Sequence, residues 1–408
     1  MSNLDVEPAA AMPQKALWAG VISLAFGSFS FVTAEFLPAS LLTPMAADIG
    51  VTVGAAGQAI SATAVAAGIA ALITAIVSRG IDRRIVIWTL SVSLIVSSVL
   101  TATAESLPAL LIARVLLGIG LGGFWSMAAA IAMRLVPAGS LPRAISLVLM
   151  GVSVATVSAA PIGAYLGALI GWRAVFLLAA FVGIVALSVQ LLSLPRLPAR
   201  GAPDLRTLVV LARKPSIALV LIGVIVTISG HFAGFTYIRP ILETMPRLSV
   251  EAISLVLLAF GLGGFVGNLA GGAITARSAK AAVVFGAAIV AAMGLTLLLF
   301  GTSAIVAGIA IGLWGFAFGV LPVGFQTWMM RVAPPDLAES AGGLLVAAFQ
   351  VAITGGAVFG GLLVDGFGTL GVVVYMTTAT SLGALGVILV GRRSPERIDA
   401  TAEAAAVV

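Results

Sequence analysis

The sequence has no cysteine and a single histidine, His231. Disulfide scaffolds and thiolate metal sites are therefore excluded. Charge is scarce as well: 9% of the 408 residues are Asp, Glu, Lys or Arg, against about 25% in a soluble domain. Glycine runs lie inside apolar segments without the Lys-Ser/Thr of a phosphate loop, which disfavours an ATP-driven pump. The spans hold no paired carboxylates, so a membrane enzyme lacks a credible constellation. What the chain has is hydrophobicity: 61% of its residues are apolar and 47 are glycine, with a mean hydropathy of +1.21. Disorder is excluded on that ground, and a polytopic membrane protein remains.

A spanning helix needs roughly 20 mostly apolar residues at about 1.5 Å rise each. The hydropathy pattern predicts spans at 17–42, 54–78, 84–103, 107–133, 143–166 and 172–193. A second set follows at 215–240, 251–274, 281–300, 303–329, 338–362 and 370–390. The expected fold is all-α, with twelve transmembrane helices in two pseudo-symmetric bundles of six. No period of two is sustained, which disfavours a barrel. Abundant Gly and Ala suit close helix packing in lipid. The first span is long, and Asp5 and Glu7 precede it with only Lys15 as a basic residue, unlike a cleavable signal peptide.

Basic residues set the orientation. With the N-terminus inside, 17 of the 21 Lys and Arg fall in cytoplasmic segments. Arg173, Arg239 and Arg247 lie outside, and only Arg114 lies within a span. Both termini are expected in the cytoplasm. The sequence pI of about 10.5 then reflects topology and contact with anionic lipid, not nucleic-acid binding. The segment 194–214, with Pro195, Pro198, Gly201 and Pro203, reads as a linker between bundles 17–193 and 215–390, flanked by tails 1–16 and 391–408. A repeat supports the division. Met133, Arg134, Leu135, Val136 and Pro137 match Met330, Arg331, Val332, Ala333 and Pro334 at an offset of 197, and Arg84 matches Lys280 at 196. A parallel repeat of this kind places a central cavity between the halves.

Ionised side chains at bilayer depth are costly and normally pair or face a cavity. Glu35 and Arg114 each lie about 7 residues, roughly 10 Å, below the outer surface in the first bundle. Two readings stay open: a proton-coupling pair, or a fixed ion pair tying the first and fourth spans together. His231 is a candidate for a proton or substrate role, or else a hydrogen-bonded packing residue. Arg239 and Glu243 straddle the outer end of the seventh span and fit a gate. Gln58, Asn268, Gln326 and Gln350 could bind a polar solute or join neighbouring helices. Aromatics gather at Phe124 and Trp125, at Phe232, Phe235 and Tyr237, and at Trp314, Phe325 and Trp328. Such rings would stack on a flat heterocycle, or serve packing and interfacial belts.

Several motifs resemble the major facilitator superfamily. Arg114 followed by Gly118, Gly120, Gly122 and Gly123 is similar to its buried-arginine motif, whose arginine is linked to proton coupling in antiporters. Gly151 through Ala160, Pro161, Ile162 and Gly163 to Gly167 resembles its antiporter motif, in the form found in arabinose-efflux-permease-like exporters. Gly171, Trp172, Arg173 and Phe176 resemble that group's entry to the sixth span. The loop Ser78, Arg79, Gly80, Ile81, Asp82, Arg83 and Arg84 resembles the cytoplasmic gating loop, but Ser78 replaces the usual glycine and the second glycine is missing. Glu35 through Pro38 to Pro44 and Met45, then Phe124 with Trp125, Phe235 through Arg239 to Pro240, and Leu321 through Gly324 to Trp328 resemble a purine-nucleoside-exporting branch.

The resemblance implies a proton antiporter of the bacterial cytoplasmic membrane that exports purine ribonucleosides such as inosine and guanosine. With the readings of the buried residues above, the expected proton-coupling residues are Glu35, Arg114 and His231, and the expected substrate contacts are Phe124, Trp125, Phe235, Tyr237, Trp314, Gln326 and Gln350. Gating would fall to Asp82, Arg83, Arg84, Pro161, Gly163 and Arg239. The expected partners are the solute, protons and the lipid bilayer, with the chain acting as a monomer and no cofactor or metal. An exporter of drugs or sugars in the same superfamily is the alternative cargo, and a membrane receptor or scaffold the alternative class.

Overall fold

The computed structural model describes residues 16–391 apart from 79, 138–139, 199–204 and 335–336. Asp5, Glu7, Lys15, Arg79, Arg200, Gly201, Pro203, Arg392, Arg393 and Arg397 lie outside the described residues, as does the side chain of Arg206. The described chain is helical: α1 (Trp18–Ile49), α2 (Val53–Val77), α3 (Arg83–Ala102), α4 (Leu107–Leu135), α5 (Leu141–Ile170), α6 (Trp172–Ser193), the short α7 (Leu205–Ala212) in the linker, α8 (Pro215–Thr236), α9 (Ile238–Thr244), α10 (Val250–Arg277), α11 (Ala279–Phe300), α12 (Ala304–Val332) and α13 (Ala338–Gly391). Within α13, Gly368 sits at φ 69° and ψ −172°, outside helical space. Its 54 residues therefore form two spans, 338–367 and 369–391. Counted so, the described residues hold twelve spans, as the hydropathy predicts.

Two boundaries differ from expectation for stated reasons. Span one runs past residue 42 to Ile49, carrying Pro38 and Pro44 inside the helix. Proline removes an N–H and frees the carbonyl four residues earlier, and a helix in lipid tolerates this where neighbours satisfy the freed group. Span seven breaks at Tyr237, and α9 continues as a separate short helix.

Within each half, helices meet backbone to backbone through glycine. A Cβ at Gly118 or Gly122 of α4 would strike the Thr63 or Ala67 carbonyl of α2. A Cβ at Gly315 or Gly319 of α12 would strike the Phe260 or Gly264 carbonyl of α10. These are corresponding helix pairs of the two halves, so the repeat extends to packing. Small residues permit this approach where no hydrophobic force drives association. Outward faces carry bare apolar side chains such as Val77, Leu192, Ile305 and Phe367, an arrangement suited to lipid rather than water.

One end of the bundle, the linker face, carries residues 78, 80–84, 194–198, 205–214, 333–334 and 337; the other, the opposite face, carries 50–52, 103–106 and 237–249. Among the described residues, every hydrogen bond between the halves lies at the opposite face. Side-chain packing reaches further in, to Gln350 of α13 against Gly68 of α2. The hydrogen bonds between the halves that join described residues thus close the space at the opposite face.

Candidate functional site

Arg114 is 1% exposed and ties three helices together. Its Nη1 donates to the Ala34 carbonyl at 2.9 Å, its Nη2 to the Glu35 carbonyl at 3.5 Å, and its Nε to Thr63 Oγ1 at 3.1 Å. Pro38 explains the choice of acceptor. It stands four residues after Ala34 and has no N–H to give, so the Ala34 carbonyl is free for the arginine. The expected Glu35–Arg114 ion pair is corrected accordingly: among the described residues no ion pair joins them. The carboxylate of half-buried Glu35 is left without a hydrogen-bond partner among the described residues. Arg114 is thus its close electrostatic neighbour without neutralising it by contact.

Across from Glu35, α8, α10 and α12 build an aromatic cluster around His231, which is fully buried. Trp314 Nε1 donates to His231 Nδ1 at 2.9 Å. Phe318 lies flat on the imidazole, with ring centres 3.7 Å apart and planes within 1°. Phe235 and Phe260 lie near-parallel to the imidazole at 5.8 and 6.2 Å, and Phe232 meets it edge-on at 5.0 Å. Phe36, the residue after Glu35, reaches Phe235 at 5.4 Å across the interface between the halves. The residue next to Glu35 therefore meets the wall of flat rings across the interface between the halves.

The opposite face is closed by three contacts between the halves. Arg239 of α9 donates from Nη1 to the Ser40 carbonyl at 2.7 Å and from Nε to Glu243 at 2.7 Å. Glu243 in turn accepts from Thr43 Oγ1 at 2.6 Å. Ser40 stands four residues before Pro44, so this too is a proline-released carbonyl of α1. Each proline of α1 thus exposes one carbonyl, and each carbonyl is taken by an arginine, one from each half. Asp365 of α13 grips the start of α2 through Thr52 Oγ1 at 2.7 Å and the Gly54 N–H at 2.9 Å. A carboxylate suits a helix N-terminus, where unpaired N–H groups carry partial positive charge. Tyr237 fills the third position, its hydroxyl donating to the Ala357 carbonyl at 2.9 Å beside Gly57.

At the linker face, Asp82 caps α3 through the Arg84 N–H at 3.0 Å and accepts from the Leu197 N–H at 3.0 Å. Arg84 pairs with Asp82 at 3.5 Å. Arg83 is clamped to Ser78, through its carbonyl at 3.1 Å and its hydroxyl. The serine that departs from the glycine pattern thus anchors Arg83, the first of the basic pair. This loop is bonded to the chain leaving α6 within its own half.

The aromatic and polar candidates separate clearly. His231, Phe235 and Trp314 come together. Phe124 does not join them: it is fully buried inside the first half, 5.1 Å from Phe31, with half-buried Trp125 edge-on beside it. Tyr237 belongs to the closure. Gln350 is 8% exposed at the contact with α2, and Gln326 is exposed. Pro161 is buried in α5, and a Cβ at Gly163 would press on Leu37 and Ser40, so this glycine lets α1 and α5 approach. Sequence reasoning missed Phe260, Phe318, Thr63, Thr43 and Asp365. Asp365 could have been found as a rare acidic residue at a span end; the phenylalanines carry no contrast within apolar spans.

Residues 24–357 match the family described as the Major Facilitator Superfamily. The chain is 41% identical over 369 residues to the purine ribonucleoside efflux pump NepI of Shigella sonnei (strain Ss046), covering 90% of this chain and 93% of that protein. It is 39% identical over 353 residues to the pump of the same name from Salmonella paratyphi B (strain ATCC BAA-1250 / SPB7), covering 86% and 89%. Among solved structures, the xylose transporter XylE from E. coli, in a partially occluded inward-open conformation, aligns with a TM-score of 0.71 at 14% identity, covering 94% of this chain and 98% of that one. A bacterial homolog of the human lysosomal transporter Spinster, inward-facing and occupied, aligns with a TM-score of 0.71 at 17% identity over the same shares.

Proposed function

The chain belongs to the major facilitator superfamily, and from that footing we propose that it exports purine ribonucleosides from the cytoplasm in exchange for protons. The linker face is cytoplasmic in this reading, as the concentration of Lys and Arg there requires. Both termini then lie in the cytoplasm, and the opposite face is the exterior. The chain works as a monomer in the cytoplasmic membrane, with the solute, protons and surrounding lipid as its partners. The conformation described is the one that loads substrate from inside, since the closing contacts stand at the outer face.

The observation that carries the reading is the contact between Phe36, the residue next to Glu35, and Phe235 of the rings around His231, at 5.4 Å across the halves. A nucleoside base has two flat faces and stacks on such rings. Glu35 carries charge that must be compensated before the halves can close over it in a low dielectric. Water reaching from the linker face solvates it in the loading state. A proton neutralises it for the return, so substrate and proton travel in opposite directions. Arg114 holds α1, α2 and α4 in register around this carboxylate. Asp82, Arg83 and Arg84 keep the inner loop on its own half while the cavity is open, and Arg239 keeps the outer gate shut.

Transport into inside-out vesicles tests the proposal. Labelled inosine accumulates when the lumen is acidic relative to the medium and stops accumulating when the gradient is collapsed. Inosine flux indifferent to the gradient removes the antiport claim, and absence of nucleoside flux removes the substrate.

A further inference from the structure

His231 was a candidate proton carrier, and its bonding points elsewhere. An indole N–H can only donate, so Trp314 makes Nδ1 the acceptor and leaves the ring proton on Nε2. That N–H is buried and has no partner among the described residues. A buried donor left unpaired is costly, and natural folds rarely leave one without a reason. The other rings around it, Phe232, Phe235, Phe260 and Phe318, are apolar, and Phe318 is the one of them that is only partly buried. Phe318 also occupies the face of the imidazole on which another flat ring would stack, at 3.7 Å.

We propose that His231, fixed by Trp314 as an N–H donor, reads the 6-oxo group of a purine base that replaces Phe318 in the stack. The inference rests on the nucleoside-export reading and deepens it from purines in general to 6-oxopurines. A carbonyl at position 6 accepts from Nε2. The amino group of an adenine presents a donor to a donor there, and the histidine stays unsatisfied. Phe318 serves as a stand-in for the base: it covers the imidazole and swings aside when substrate enters. Trp314 is a positioning residue, since it acts through the tautomer of His231.

Counterflow of labelled inosine and adenosine in proteoliposomes of the full chain tests this. The wild type is expected to prefer inosine roughly tenfold in half-saturating concentration, the scale of one hydrogen bond gained or lost. His231→Phe keeps a flat ring without the N–H, and the ratio falls toward one by loss on the inosine side. Trp314→Phe keeps the histidine and frees the proton to move to Nδ1, and the ratio falls as well. Should His231→Phe fail to accumulate in the membrane, Trp314→Phe carries the same test. A wild type without preference, or an unchanged ratio in the variants, overturns the inference while the exporter reading stands. A wild type that moves neither nucleoside overturns the exporter reading and the inference with it.

Discussion

Replacing Arg239 with glutamine removes a charged hydrogen bond between the halves, on the face that the proposed orientation puts outside. Arg239 is 7% exposed and donates a charged hydrogen bond across the halves to the Ser40 carbonyl at 2.7 Å. That carbonyl has no helical partner, because Pro44 stands where the donor would be. A hydrogen bond from a charged group contributes about 1.5–3 kcal/mol. It exists only while the face is closed, so its loss acts on the equilibrium between conformations rather than on each half. At 1.4 kcal/mol per decade, the closed state loses roughly 10- to 100-fold in population against the outward-open one. The absence of cysteine provides the assay. Ala39 is 1% exposed and packs at the interface between the halves. With Ala39→Cys as the only thiol, a membrane-impermeant maleimide added from the exterior labels slowly in the parent and at least tenfold faster with Arg239→Gln. An unchanged labelling rate would refute the argument that this bond closes the face.

Arg114→Lys trades a planar fork for a point charge and cannot serve both Ala34 and Thr63. It should lower the melting temperature in detergent through an unsatisfied buried carbonyl worth about 1–3 kcal/mol. Pro38→Ala, which returns an N–H to Ala34, should recover part of that loss in the double variant; equal losses with and without the proline would contradict it. Gly122→Ala places a methyl against the Ala67 carbonyl. Separation of α2 from α4 should then cost about 1–3 kcal/mol, read as a lower melting temperature, whereas Gly342→Ala, with open space at its Cβ, serves as the neutral comparison.

The spans were readable because lipid forces every backbone group to be satisfied within its own helix, which makes hydropathy decisive. Their ends were less so. Residue 42 looked like the end of the first span, yet α1 runs through Pro44 because an arginine from the other half takes the carbonyl that the proline frees. Arg114 stood out as the sole cation within a span, but its acceptor did not: spacing gives depth along a helix and leaves the rotamer open. The aromatic wall was half legible. Phe235 falls in a motif and Trp314 in a group of aromatics, while Phe260 and Phe318 are ordinary apolar residues in apolar spans. Phe124 had the same sequence signature and turned into the core of the first half instead. The outer closure was seen in Arg239 and Glu243 and missed in Asp365, whose partner Gly54 is 311 residues away in the chain.

The central claim is that a proton on Glu35 drives nucleoside export, and Glu35→Gln tests it most directly. Inosine flux is measured in inside-out vesicles with and without an acidic lumen, beside gradient-free counterflow. The account predicts that Glu35→Gln retains counterflow and loses all acceleration by the gradient. A Glu35→Gln protein that still concentrates inosine in response to the gradient would contradict it.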